Sequence, residues 1–237
     1  MKILIEAKGL VKRFGNREVV KGIDLEIRPG EVLALIGTNG AGKSTIMSML
    51  LGILNPDEGQ VTRWREDYRS HLGVQLQSTP FFEGYTAEEN LQLFAALYNM
   101  KLTKSQLAEE LEKCGLSEAS KTPAIKMSLG QQKRLAIAVT NIHKPELIVL
   151  DEPTAGLDPR ARHEIRAMIR KLADEKVTVL FSSHDMEEVS RTADRLILMH
   201  SGKIVAQGVP EELLIQNQVE NLEELYMILT EPAYKFK

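Results

Sequence analysis

The sequence predicts an α/β fold: a mostly parallel sheet carrying a phosphate-binding loop, preceded by an antiparallel β part and interrupted by helices. Three observations predict it. Gly37-Thr38-Asn39-Gly40-Ala41-Gly42-Lys43-Ser44-Thr45 fits the pattern G-x-x-x-x-G-K-[ST] without a mismatch. Short apolar runs at 31–36, 147–150, 177–181 and 196–199 alternate with helical stretches, which a parallel sheet with crossover helices explains most economically. Residues 1–27 alternate apolar and polar positions around Gly15-Asn16, as a hairpin does.

Composition fits an ordinary globular chain. Of 237 residues, 43% are hydrophobic and 27% charged, and the net charge of −3 gives no sign of a nucleic-acid partner. Cys114 has no second cysteine to pair with, so a reducing compartment and a buried thiol are expected. No basic-then-apolar leader is visible, and no apolar run approaches the ~18 residues that span a bilayer.

In order, the hairpin over 1–27 leads through Pro29-Gly30 into the strand EVLALI. A helix is expected over Ile46–Leu54, and a short strand over Gln60–Thr62. Arg63–His71 is polar and reads as a solvated loop or short helix, followed by a strand over Leu72–Leu76. Thr86-Ala87-Glu88-Glu89 is a capping box that opens a helix to about Tyr98. A second helix is expected over Ser105–Cys114 and a third, short one from Ser117. Ser128–Gln132 precedes a helix from Lys133 to about Ile142. Then come the strand LIVL, a helix from Asp158-Pro159 to about Leu172, a strand over Val177–Phe181 and a helix over Met186–Ala193. Strands over Leu196–Met199 and Ile204–Ala206 and a helical tail over Glu211–Thr230 complete the chain.

The chemistry gathers where strands end. Gly40 and Gly42 let the backbone approach a phosphate with no Cβ in the way, and a helix N-terminus adds partial positive charge there. Lys43 supplies a point charge to outer phosphates and Ser44 a hydroxyl for Mg²⁺. Asp151 and Glu152 end one strand, and His184 lies just past another. In such sheets ligands bind at the carboxyl ends of strands. Asp151 is positioned to hold the metal and Glu152 to polarise an attacking water. Phe14 beside the hairpin turn, taken alone, reads as packing.

Together these motifs resemble the nucleotide-binding subunit of an ABC transporter over nearly the whole chain. Gly37–Thr45 resembles the Walker A loop, and LIVLDE resembles Walker B with Glu152 as the catalytic carboxylate. Gln77 is similar to the Q-loop glutamine, Asp158 to the D-loop aspartate and His184 to the switch histidine. The resemblance implies that Phe14 stacks on the base. It implies ATP and Mg²⁺ as the ligands, with Ser44, Gln77 and Asp151 on the metal. Met127-Ser128-Leu129-Gly130-Gln131 resembles the signature motif, with Leu129 where the family has glycine. It implies that Ser128, Gly130 and Gln131 serve the ATP of an opposing subunit. Gln77 follows Lys43 by only 34 positions, which implies a trimmed strand hairpin. The segment 221–226 resembles the end of exporter subunits.

A single ABC ATPase domain over 1–237 is therefore expected. It comprises a nucleotide-binding core (1–77 and 145–208) including the antiparallel part, a helical subdomain (78–144) and a C-terminal helical tail (209–237). The implied protein is a peripheral motor on the cytoplasmic face of the membrane. It works as a homodimer or a heterodimer with another ATP-binding subunit, and drives a separate transmembrane permease in export. A soluble ABC-type ATPase acting in assembly or regulation is the alternative.

Overall fold

The structure, a computed structural model, describes residues 3–76 and 81–231. Gln77 and Pro80 lie outside the described residues. Strands β1 (Ile5–Phe14), β2 (Arg17–Ile27) and β4 (Glu58–Arg63) form an antiparallel sheet in the order β2-β1-β4. The predicted hairpin turns at Gly15, whose φ of 58° suits glycine. One strand, β4, stands between the phosphate-loop helix and the next core strand among the described residues, in line with the shortened spacing.

The main sheet runs β5-β6-β7-β3-β8-β9. Its members are β3 (Val32–Gly37), β5 (Leu72–Gln75), β6 (Leu147–Asp151), β7 (Thr178–Ser183), β8 (Arg195–His200) and β9 (Lys203–Gly208). All pairs are parallel except β8 with β9. The register puts Ile36 beside Ser183, Gly37 beside Met199 and Asp151 beside Ser182. The carboxyl ends of β3, β6 and β7 therefore open at one level, where the motifs lie.

Strand β3 is buried along its whole length because both faces are covered. Leu33 and Leu35 enter a core shared with the antiparallel sheet and helix α1 (Lys43–Leu50). Val32, Ala34 and Ile36 enter the opposite core under α5 (Pro159–Asp174), α6 (Met186–Thr192), α7 (Pro210–Asn217) and α8 (Leu222–Thr230). A third apolar cluster sits among α2 (Ala87–Leu97), α3 (Lys104–Lys113) and α4 (Leu129–Asn141), and it buries Cys114. Burial pushes that thiol up to about 11, so it stays protonated.

Several expectations are corrected. Helix α1 stops at Leu50, four residues early. Gly52 has φ 71°, and the Arg63 guanidinium takes the freed carbonyls of Met49 and Leu50 at 2.9 Å each. The segment from Arg63 is thus no plain solvated loop. Tyr68 is buried with its hydroxyl on the Leu51 carbonyl, and the Arg63 guanidinium lies 4.8 Å from the Tyr68 ring centroid. Lys12 adds a second tie, from its ammonium to the Asn55 carbonyl and the Asp57 carboxylate, both at 2.8 Å.

The expected short helix at Ser117 is a run of turns closed by three-residue hydrogen bonds, such as Ala119 N–H to Leu116 O. Helix α4 begins at Leu129 and not at Lys133, because Ser128 and Gln131 form a capping box. The helical tail is two helices, separated by Gln218 at φ 56° and restarted by Asn221 capping Glu224.

Candidate functional site

The phosphate loop joins β3 to α1. Gly42 is the N-cap of α1 at φ 105°, and no side chain caps the first turn, so its N–H groups point outward unclaimed. A Cβ on Gly42 would lie 3.0 Å from the Val19 carbonyl, which holds the position to glycine. The Lys43 ammonium is buried. It donates to the Gly37 carbonyl at 2.8 Å and the Thr38 carbonyl at 3.4 Å, and stands 3.6 Å from a Glu152 carboxylate oxygen.

The ends of β6 and β7 interlock beside it. The Ser44 hydroxyl donates to Asp151 Oδ2 at 3.1 Å, and the Ser182 hydroxyl donates to Asp151 Oδ1. The Glu152 N–H donates to Ser182 Oγ at 2.9 Å. Glu152 itself adopts φ 51°, a left-handed conformation that costs a residue with a Cβ about 1–2 kcal/mol. That conformation turns its carboxylate into the cavity, where Oε2 lies 2.6 Å from His184 Nδ1.

Phe14, Asn39, Gly40, Gly42, Lys43, Ser44, Thr45, Asp151, Glu152 and His184 line one cavity of about 660 Å³, large enough for a nucleotide. Phe14 is 52% exposed at its rim, so the packing reading of this ring is corrected. Gly37, Thr38 and Ala41 shape the loop from behind: the Ala41 N–H donates to the Thr38 carbonyl at 3.1 Å and the Gly202 N–H to the Ala41 carbonyl at 3.1 Å.

The signature residues are not in this cavity. Ser128, Gly130 and Gln131 line a separate groove of about 280 Å³ with Gly156, Asp158 and Arg160. The Ser128 hydroxyl accepts from the Gln131 N–H at 3.3 Å, which leaves its own O–H to donate. Asp158 caps α5 through the N–H groups of Arg160 and Ala161. Gly130 sits where a Cβ would lie 3.0 Å from Ala161 Cβ, so it allows α4 and α5 to approach.

Sequence reasoning missed four contributors. Lys133 lies 8% exposed in the cavity wall with its ammonium 3.4 Å from the Glu152 carbonyl, and burial lowers its pKa despite the nearby carboxylates. A lysine on the apolar face of α4, with Ala136, Ile137 and Thr140, was the available signal. Ser182 is legible only as a strand-end serine, and Arg17 carries no signal beyond the turn it follows. Glu188 is buried and accepts from Thr154 Oγ1 at 2.7 Å and Ser183 Oγ at 2.9 Å, so it ties the segment after Glu152 to the segment before His184. Burial raises its pKa.

The cavity thus offers outward N–H groups, a buried cation, and a carboxylate beside a histidine, a set suited to binding and cleaving a phosphoric anhydride. Among the described residues no cluster of three or more His, Cys, Asp or Glu could hold a metal by itself. Ser44 and Asp151 offer hard oxygens, the partial set that Mg²⁺ accepts when phosphates and waters complete its octahedron.

The family model described as ABC transporter matches residues 20–155. The chain is 32% identical over 242 aligned positions to the linearmycin resistance ATP-binding protein LnrL of Bacillus subtilis, covering 95% of this chain and 78% of that protein. It is 34% identical over 228 positions to the lantibiotic transport ATP-binding protein SrtF of Streptococcus pyogenes, covering 94% of this chain and 96% of that one. A solved structure of the ATP-binding subunit of an ABC transporter superposes with a TM-score of 0.83 at 28% identity, over 96% of this chain and all of that one.

Proposed function

The chain belongs to the ABC transporter family as an ATP-binding, ATP-hydrolysing subunit, and from that premise we propose that it works as a head-to-tail pair driving a membrane permease. One observation carries the reading. Lys43, Ser44, Asp151, Glu152 and His184 share one cavity, while Ser128 and Gly130 face a different groove with a donor to spare. A second subunit turned end to end would bring its signature groove over this cavity. Each ATP would then lie between two chains.

In that pair Phe14 would stack on the base, the loop Gly37–Thr45 would wrap the phosphates, and Lys43 would neutralise the outer ones. Ser44, Asp151 and Gln77 would hold Mg²⁺, which supplies charge neutralisation between phosphates. Glu152 would take a proton from the attacking water, and His184 would hold Glu152 and the γ-phosphate in register. Ser128, Gly130 and Gln131 would serve the partner's ATP, and Asp158 would sit at the contact between subunits.

No helix among the described residues is long and apolar enough to cross a membrane, and in this reading a separate permease spans it. The division into a core (1–77, 145–208), a helical subdomain (78–144) and a tail (209–237) is supported by the separate apolar cluster of α2–α4. That cluster carries an aromatic loop with Phe82 and Tyr85 exposed and their rings 5.7 Å apart. Buried Asn90 fixes the loop, its amide N–H groups donating to the carbonyls of Phe82, Tyr85 and Thr86 at 3.0–3.2 Å. A rigid apolar display suits docking of a permease helix on the cytoplasmic face. Export is the direction of this reading, supported by relatives named for Nod factor export.

Glu152→Gln tests the pairing. The amide keeps the shape but is a poor base, so hydrolysis should stop while ATP binding persists. Light scattering with ATP should then show a doubled mass. A variant that binds ATP yet stays monomeric at every concentration overturns the pairing.

A further inference from the structure

Helix α8 is the last described element, and its role in the site is not explained by packing alone. It buries Leu222, Leu225 and Tyr226 against the sheet. A phenylalanine at 226 would fill that space equally well, so the hydroxyl is the part to account for. The Tyr226 hydroxyl lies 2.8 Å from His200 Nδ1, at the end of β8, and 3.3 Å from Thr38 Oγ1, at the start of the phosphate loop. The His200 and Tyr226 rings meet edge to face at 5.8 Å. One partner satisfies a buried phenol. The contact with Thr38 goes beyond that need, and it joins two residues 188 positions apart.

Thr38 is a sensitive place to hold. Its carbonyl receives the Ala41 N–H, which closes the loop turn, and the Lys43 ammonium. Thr38 is exposed. We propose that Tyr226 is a positioning residue for the phosphate loop: through Thr38 it holds the loop in its binding geometry before nucleotide arrives. A loop held in advance loses less freedom on binding, so the tie should raise affinity and leave the chemical step alone. With His200 Nδ1 protonated, the phenol accepts from it and donates to Thr38 Oγ1; with Nδ1 bare, the phenol donates to it and accepts from the Thr38 hydroxyl, so the chain His200–Tyr226–Thr38 stays unbroken in either tautomer. The tail would then communicate with the nucleotide: a partner that lifts α8 would loosen the loop.

The inference rests on ATP binding in this cavity and not on the head-to-tail pairing. Two isosteric changes test it on the full chain. Tyr226→Phe removes only the hydroxyl, and Thr38→Val removes only the group it meets. Each should weaken ADP and ATP binding, measured by titration calorimetry, by about threefold to tenfold, the range one net hydrogen bond supports. The double variant should bind no more weakly than either single one, since both delete the same contact. In Tyr226→Phe, which leaves the loop's own residues intact, hydrolysis at saturating ATP should stay within about twofold, so that KM moves and kcat does not. Unchanged affinity in either variant overturns the proposal. So do additive losses in the double variant, which would mean that Tyr226 acts through packing of α8 alone. If Tyr226→Phe folds poorly, Thr38→Val on the exposed loop decides: unchanged affinity there is sufficient to reject the tie. Loss of all nucleotide binding by the unaltered chain would instead sink the cavity assignment.

Discussion

The phosphate-loop cavity and the signature groove are built on opposite plans. In the cavity the charged and hydroxyl side chains at the strand ends engage one another: Lys43 stands 3.6 Å from Glu152, Ser44 and Ser182 donate to Asp151, and Glu152 meets His184. In the groove the bonds close on themselves, as helix caps at Ser128 and Asp158. The first region holds its geometry without help. The second is a pair of well-formed helix starts in a groove apart from the cavity. Under the proposed pairing, one polypeptide carries a nearly complete binding half and a separate donating half.

The largest effect that would break this contrast comes from the cavity. Lys43→Ala should weaken ATP binding and abolish hydrolysis, a loss of about 10²-fold or more from removing a buried charge beside the phosphates. Near-normal turnover in a phosphate-release assay would show that the cavity is not the site. A sharper test mixes Ser128→Arg with Lys43→Ala chains. If the two regions serve different ATP molecules, one site of the mixed pair carries both lesions and the other neither. Partial activity should then return, up to about half that of an unaltered pair for each mixed pair formed. No recovery at any mixing ratio would place both regions in one site.

The aromatic loop gives a smaller effect. Replacing Phe82 and Tyr85 with Ser should weaken co-purification with the cognate permease by about tenfold, while hydrolysis by the isolated subunit stays near normal. Retention of a fully coupled complex moves docking elsewhere. The smallest effect concerns Glu188, whose pKa is raised by burial. Its folded form holds a proton more tightly than the unfolded chain does. That contribution is complete at pH below the ordinary carboxylate range and is lost as pH rises through the raised value. Glu188→Gln should remove this decline, so the Tm advantage of the unaltered chain over the variant should shrink from pH 4 to pH 7. A constant difference would mean that Glu188 titrates alike in the folded and unfolded chain.

The sequence showed the cavity well and its framework less well. The loop pattern, the strand LIVL before Asp151-Glu152 and the strand before His184 all carry local signals, because a buried parallel strand is a short apolar run. Helix starts were read unevenly. The capping box at Thr86 was legible, yet the same grammar at Ser128 and Gln131 places those residues on the first turn of α4, a start expected four residues later. Lys133, Ser182 and Glu188 were hidden because their roles depend on residues 19 to 34 positions away, brought near only by the sheet. The early end of α1 was hidden likewise, since Arg63 supplies it from the last position of the next strand.

That arginine has one more consequence. Phe14 ends β1, and β1 is tied to α1 through β4, whose Arg63 holds the Met49 and Leu50 carbonyls, and to the segment after α1 through Lys12 on Asn55 and Asp57. The Phe14 ring and the start of α1 are therefore parts of one stiff bracket at the two ends of the cavity. Under the proposed placement of ATP its span would act as a fixed gauge, met by a molecule with both a base and a phosphate chain of the right reach. Inorganic pyrophosphate would engage one jaw of such a gauge, and a nucleoside without phosphates the other.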